Sequence, residues 1–594
     1  MEPPDDPVGP PEDEFRAERM SRQTAPPELE DPEKRALWGL GSHEDDYGPY
    51  LIELNVQYVD GLAEAARAFA DLFRRVIINP AQELHPNVDE ETAPWGITRI
   101  SKTYFRCEMT MAQWKMLIAA DEHQAARRSN ESQAGGDPSM TVAAFRFRTI
   151  YKLWPDFPVH AQLTHSISTI KADAALRTFE ASGEGITWAV VDSGIDGTHP
   201  HFGSATDHVL NDPSVQGLHR CFIPINGQRL EDPDEDSVDG EVLLQPERQR
   251  RIALHLQHAL IDDMGHGSHV AGIIAGQAPS DDSAVVLHHE VMMAAGENLE
   301  NTPQRQTVTR ARFLAGDQEQ RRLHGVAPRC RLVSLRVLDG QGQGRSSNII
   351  RALEYIREKL NDNPKELRVH GVNLSVGYEF DAEMFACGQS PLCVEVNRLV
   401  QTGVVVVAAA GNTGYATISA SSRTTRVGLA NSINDPGNAE SAITVGSTHK
   451  DSPHTFGISY FSSKGPTGDG RPKPDLVAPG ERIISCAAGQ KKTEALDQVT
   501  QQIEPPTEPA HPAEPGTGRE NIADRACYID DSGTSMAAPH VSGAIAAFLS
   551  IRREFIGQPV EVKRIFLDSA MPLGRERYFE GHGLIDVMKA IQSV

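Results

Sequence analysis

Ile186–Gly194 reads ITWAVVDSG, an apolar run that closes on an aspartate and a glycine. Four further runs repeat the plan: CRLVSLRVLD at 330–339, HGVNLSVG at 370–377, GVVVVAAAGN at 403–412 and AITVGS at 442–447. A strand with one wet face alternates apolar and polar residues, whereas a strand apolar throughout is covered on both faces. Between the runs lie segments with helical spacing, SSNIIRALEYIREKL at 346–360 and PLCVEVNRLVQ at 391–401. This alternation predicts an α/β domain over residues 185–594, a parallel sheet with helices on both faces. Sites in such sheets lie beyond the carboxyl ends of the strands. Here those ends carry Asp192, Ser375 and Asn412.

Two stretches break the alternation. Residues 277–323 are polar and mixed in charge, and 489–522 includes IEPPTEPAHPAEPGTG, whose prolines lack the N–H that helix and sheet require. Both read as surface insertions. Residues 1–48 are rich in Pro, Asp and Glu with few aliphatics, which predicts a disordered acidic tail. Residues 49–158 predict a small α/β unit. Its strands are LIELNVQYV, GITRISKTYFRCEMT and FRFRTIYKLW, its helices GLAEAARAFADLFRRVI and MAQWKMLIAADE, with the polar run SNESQAGGDPS before the last strand. Residues 159–184 read as a linker.

At 594 residues the chain exceeds the usual size of one domain. Its 82 acidic and 57 basic residues give a net charge of −25, which repels phosphate backbones and anionic lipid. Neither nucleic acid nor membrane is therefore an expected partner. The first thirty residues carry no basic start followed by an apolar run, and no stretch is apolar for as long as a membrane span, so the expected location is cytoplasmic. The 7 cysteines fit reduced thiols, although CGQSPLC leaves a Cys387–Cys393 pairing open. The acidic run EDPDEDSVDGE at 231–241 offers carboxylates to calcium but reads as solvated charge.

Nucleophilic catalysis needs a hydroxyl or thiol, a base within reach, a group that orients the base, and donors for the developing oxyanion. The chain supplies these types in VVDSGIDGTHP (Asp192), DDMGHGSHVAGIIAG (His266), AAAGNTG (Asn412) and DSGTSMAAPHVSG (Ser535). With these four in that order and HGVAP, NLSVG, FSSKGP, KPDLVAPG and GHGLIDV at their places, most of residues 180–594, the two insertions excepted, resembles the subtilisin-like serine endopeptidases, the subtilase family. The resemblance implies Ser535 as nucleophile, His266 as base and Asp192 as its orienting group. It also implies Asn412 as oxyanion donor, with the backbone N–H of Ser535 as the second. His269 is the rival base, and Asp196 reads as a turn or cap residue. Substrate would pair with two edges, Gly342-Gln343-Gly344 and Ser375-Val376-Gly377. Tyr378 stands where the family often has a small residue, and Glu379 follows; the ring either narrows the adjoining pocket or swings outward.

Many subtilases carry structural calcium, and none of these residues is assigned to it. The expected partner is a protein or peptide substrate. Subtilases made as precursors often have an α/β prodomain that blocks the cleft. Residues 49–158 match it in order and size, implying intramolecular inhibition, and a permanent accessory domain is the alternative. Two other functions stay open: a peptide ligase or macrocyclase using the same acyl-enzyme, and a non-catalytic binding protein built on the protease fold.

Overall fold

The computed structural model describes residues 24–594 except 39, 42, 86–87, 89–92, 135–142, 157, 162–167, 204–208, 232, 234–244, 280–283, 295–303, 314–322, 364–365, 381–385, 421–422 and 502–524. The chain divides into two compact units, Met1–Pro158 and Val159–Val594.

In the first unit four antiparallel strands lie in the order Gly96–Arg99, Tyr104–Met109, Gly48–Leu54, Ile150–Pro155. The single strand expected over 96–110 is instead a hairpin. Ser101 makes the turn, its Oγ accepting the N–H groups of Thr103 and Tyr104 at 3.1 Å each. Helix Leu62–Phe73 packs on this sheet through Phe69, whose ring lies 5.1 Å from that of Phe105. Helix Met111–Ala134 continues through the first half of the polar run expected to end it. Its buried positions Trp114, Leu117, Asp121 and Ala125 keep a three- to four-residue spacing that includes a carboxylate.

The expected tail needs a second correction. Residues 1–23 lie outside the described residues, but 24–48 are packed, with a 3-10 turn at Pro27–Glu30 and a helix at Pro32–Leu37. Leu29, Trp38 and Leu40 are buried, and so is Arg35. The guanidinium is accommodated because Leu40 O, His43 O, Gly41 O and Tyr50 Oη accept from it at 3.0–3.2 Å. Composition counted few aliphatics and missed that Leu29 and Leu40 are both buried.

The second unit is built on the expected parallel sheet of seven strands. Their order is Leu476–Pro479, Ile443–Thr448, Val405–Ala409, Gly371–Leu374, Thr187–Asp192, Arg331–Arg336, Arg220–Cys221. From Thr187–Asp192 the chain first builds outward on one side, then returns to place Gly371–Leu374 on the other. The order thus reverses between these two strands, and a reversal opens a crevice at their carboxyl ends. Helix Thr534–Ile551 packs against the sheet. It is long and apolar enough to cross a membrane by composition, yet 89% of it is buried in this core.

The insertions carry more structure than expected. Ala284–Ala294 and Gln304–Phe313 form a hairpin that joins Ala526–Asp531 and Ile483–Cys486 in a four-stranded sheet. The short apolar run Ala284-Val285-Val286-Leu287, buried on both faces of this sheet, outweighs the polar average of the segment. Gly489–Gln501 is a helix that buries Ala495 and Leu496 in the same small core. The Pro-rich stretch at 503–518 and most of the acidic run at 231–241 lie outside the described residues.

Candidate active site

Asp192 ends its strand and is buried. Its Oδ1 accepts the N–H of Ser193 at 2.8 Å and lies 2.6 Å from His266 Nδ1. The chain leaves the strand through Gly194 at φ +106°, where a Cβ would stand 2.1 Å from Ile261 O. His266 is the first residue of helix His266–Ile274, capped by Gly265 at φ +93°. A Cβ on Gly265 would meet Ala488 O at 2.2 Å, so this close approach also requires glycine.

The rival residues are occupied elsewhere. His269 Nε2 lies 3.1 Å from Ile529 O, and burial holds its imidazole far below the ordinary histidine range. Asp196 Oδ1 accepts from Thr198 N at 2.9 Å and Thr198 Oγ1 at 2.6 Å, a local turn.

Ser535 is the second residue of helix Thr534–Ile551. Its Oγ donates to Ser375 O at 3.1 Å, while Ser375 Oγ donates to Ser535 O at 2.7 Å. The second bond depends on Pro539. In a regular helix the N–H four residues on would take the Ser535 carbonyl, and proline has none. Ser375 is held in turn by Asn373, whose Nδ2 donates to Ser375 Oγ at 2.8 Å and whose Oδ1 accepts from Ser542 Oγ at 2.9 Å. Leu374 pairs with Val191, so Ser375 and Asp192 end adjacent strands at the reversal. Asn412 Oδ1 accepts from Thr534 N at 2.9 Å and Thr534 Oγ1 at 3.2 Å, which turns the amide by its oxygen toward the helix start.

The two expected edges belong to one small sheet, in the order Gln343–Arg345, Pro158–Ala161, Val376–Gly377. The middle strand runs antiparallel to the last, with Ala161 opposite Val376 and His160 opposite Gly377. Gly342 precedes the first edge at φ +72°. Tyr378 does not swing outward: it is buried, and its N–H and C=O bond reciprocally to Asp435 at 3.0 Å each. Glu379 is exposed. Cys387 and Cys393 are free buried thiols, not a disulfide.

Sequence reasoning missed Asn373, Ser542, Thr534, Ser193 and Asp262. Asn373 had a signal, a lone amide in an otherwise apolar strand. Asp262 had none beyond its place in DDMGHGSH. Among the described residues no three carboxylate, thiol or imidazole groups converge on one point, and no residue is assigned to calcium.

The subtilase family model matches residues 183–583, more than half of the chain. Among curated relatives, serine protease AprX of Bacillus subtilis is 25% identical over 423 residues, covering 70% of this chain and 68% of that protein. Subtilisin E of Bacillus subtilis is 26% identical over 428 residues, with 72% and 71% covered. Pyrolysin of Pyrococcus furiosus is 28% identical over 369 residues, which span 55% of this chain but only 21% of pyrolysin.

Proposed function

Since this chain belongs to the subtilase family of serine proteases, we propose that it cleaves proteins or peptides with Ser535 as nucleophile, His266 as base and Asp192 as orienting group. The observation that carries this is the buried 2.6 Å contact of His266 Nδ1 with Asp192 Oδ1, beside the strand end that holds Ser535. The carboxylate keeps the proton on Nδ1, so Nε2 is the nitrogen that takes the proton of Ser535 as Oγ attacks the scissile carbonyl. His266 then returns that proton to the leaving amine, and water repeats the sequence on the acyl-enzyme. Asn412 and the backbone N–H of Ser535 receive the oxyanion. With Asn412 Oδ1 taken by Thr534, its NH2 end is the part left to donate.

Substrate binds as a strand between Gln343–Arg345 and Val376–Gly377. The strand through His160 and Ala161 supports this, because it is a peptide of the chain itself in that slot. It follows directly on the N-terminal unit, which favours a prodomain role over a permanent accessory one. In this reading the segment restrains the enzyme until the chain is cut beyond Ala161. Mass spectrometry of the purified protein reads this directly. An intact, fully active chain would overturn it.

A serine-directed phosphonylating reagent should label Ser535 alone among the serines. Ser535→Ala should keep the fold and lose turnover by about 10⁶-fold, with a residue of roughly 10³ to 10⁴ over water. Activity persisting in the alanine variant would remove Ser535 from the role.

A further inference from the structure

Helix His266–Ile274 begins without a capping side chain at Gly265, and its first N–H groups still need acceptors. Two residues outside the helix supply them. Asp262 Oδ1 accepts from Gly265 N at 2.8 Å, and Oδ2 accepts from Ser268 N at 2.7 Å. Ser193 Oγ accepts from Gly267 N at 2.9 Å and donates to Asp262 Oδ1 at 2.8 Å.

The partners of this one carboxylate are the neighbours of both Asp192 and His266. Ser193 follows Asp192 directly, and Gly265 and Gly267 flank His266. An anion at a helix start is also favoured by the helix dipole. Burial pushes the Asp262 carboxyl above its ordinary range, and the donors from Ser268, Gly265 and Ser193 hold part of that back.

Resting on the assignment of Asp192 and His266 made above, we propose that Asp262 is a positioning residue for catalysis. It staples the strand end of Asp192 to the helix start of His266 and so sets their 2.6 Å contact. Its carboxylate bonds to neither substrate-binding edge, so the effect belongs in turnover and not in binding. The other titratable groups around this helix start are Asp263, paired with Arg336, Lys491, paired with Asp531, and His269. All are untouched by the test.

The test compares Asp262→Asn, Ser193→Ala and Asp192→Asn on a small peptide, each made as the full chain and cut beyond Ala161 by an added protease. Asn at 262 keeps the shape but turns one acceptor into a donor facing N–H or O–H groups. Asp262→Asn should lower kcat about 10- to 100-fold with KM within about twofold. It should also shift or broaden the downfield proton resonance of His266 Nδ1–H, which a merely structural loss elsewhere would not move. Ser193→Ala should act in the same direction and more weakly. If Asp192→Asn abolishes turnover while Asp262→Asn, folded by its melting temperature, keeps both kcat and the resonance, the staple is wrong and the triad stands. If Asp192→Asn leaves turnover intact, the triad reading fails first. Should Asp262→Asn not fold, Ser193→Ala decides: loss of kcat supports the proposal, and an unchanged kcat and resonance overturn it.

Discussion

Each unit of this molecule buries a carboxylate against backbone donors, and the two serve different ends. In the N-terminal unit Asp121 accepts from Thr149 N, Thr149 Oγ1 and Ile150 N at 2.6–3.2 Å, with Arg148 at 3.5 Å. All these partners lie together where helix Met111–Ala134 meets the strand beginning at Ile150, so the carboxylate closes a seam. In the second unit Asp262 takes its donors from two segments, one carrying Asp192 and the other His266. The difference follows from topology. The N-terminal sheet is antiparallel, so neighbouring strands end at opposite edges and no one edge gathers their carboxyl ends, and the buried carboxylate of Asp121 closes the fold. The parallel sheet reverses between Thr187–Asp192 and Gly371–Leu374, and polar side chains from distant segments converge there.

The comparison is sharpened most by Asn412→Ala. It should lower kcat by about 10² to 10³ with KM near that of the parent, since the amide meets charge chiefly in the transition state. Steady-state kinetics check it, and an effect on KM alone would make Asn412 a binding residue.

Next in size, Asp121→Ala should destabilise the N-terminal unit by about 1–3 kcal/mol, because it strands buried N–H groups. Denaturant unfolding reads that loss. The kcat on a small peptide should stay within about twofold, and a large fall in turnover would break the division between the two carboxylates.

A smaller effect is expected from replacing residues 503–518 by a short Gly/Ser linker. Loop closure changes by only about 0.6 kcal/mol per halving of length, so peptide turnover should persist. Extending the replacement back to Gly489 should lower turnover. Gln490 N donates to Asp263 O at 2.7 Å and Lys491 N to Met264 O at 3.2 Å, bracing the loop that leads to His266.

The smallest effect concerns the inserted hairpin. His289 Nδ1 lies 2.6 Å from Asp530 Oδ1, and this bond, joined by the Asp530 and Asp531 charges, raises the imidazole above its ordinary range. A raised folded-state value means that the link is fully present below the unfolded histidine value near about 6.5. It is lost as pH rises through the higher folded value. The other charged groups facing this link are Lys491, paired with Asp531, and Arg482, bonded to His289 O. Melting temperature against pH should therefore fall more steeply over that window in the parent than in His289→Gln, and identical slopes would exclude the link.

Local pattern by itself determined the parallel sheet, the core helix and the four motifs around Asp192, His266, Asn412 and Ser535. Apolar runs and their spacing record burial along a single segment, and burial is what builds that sheet. The same averaging misjudged the N-terminal stretch and the insertions, where a few apolar residues, such as Trp38 and Val285, outweigh polar surroundings. Tertiary structure alone decided the supports of the site. Ser375 reaches Ser535 across 160 residues, Asn412 reaches Thr534 across 122, and Ser193 reaches Asp262 across 69. A hydrogen bond leaves no period in the sequence, and these pairs meet only because the strand order reverses at one place.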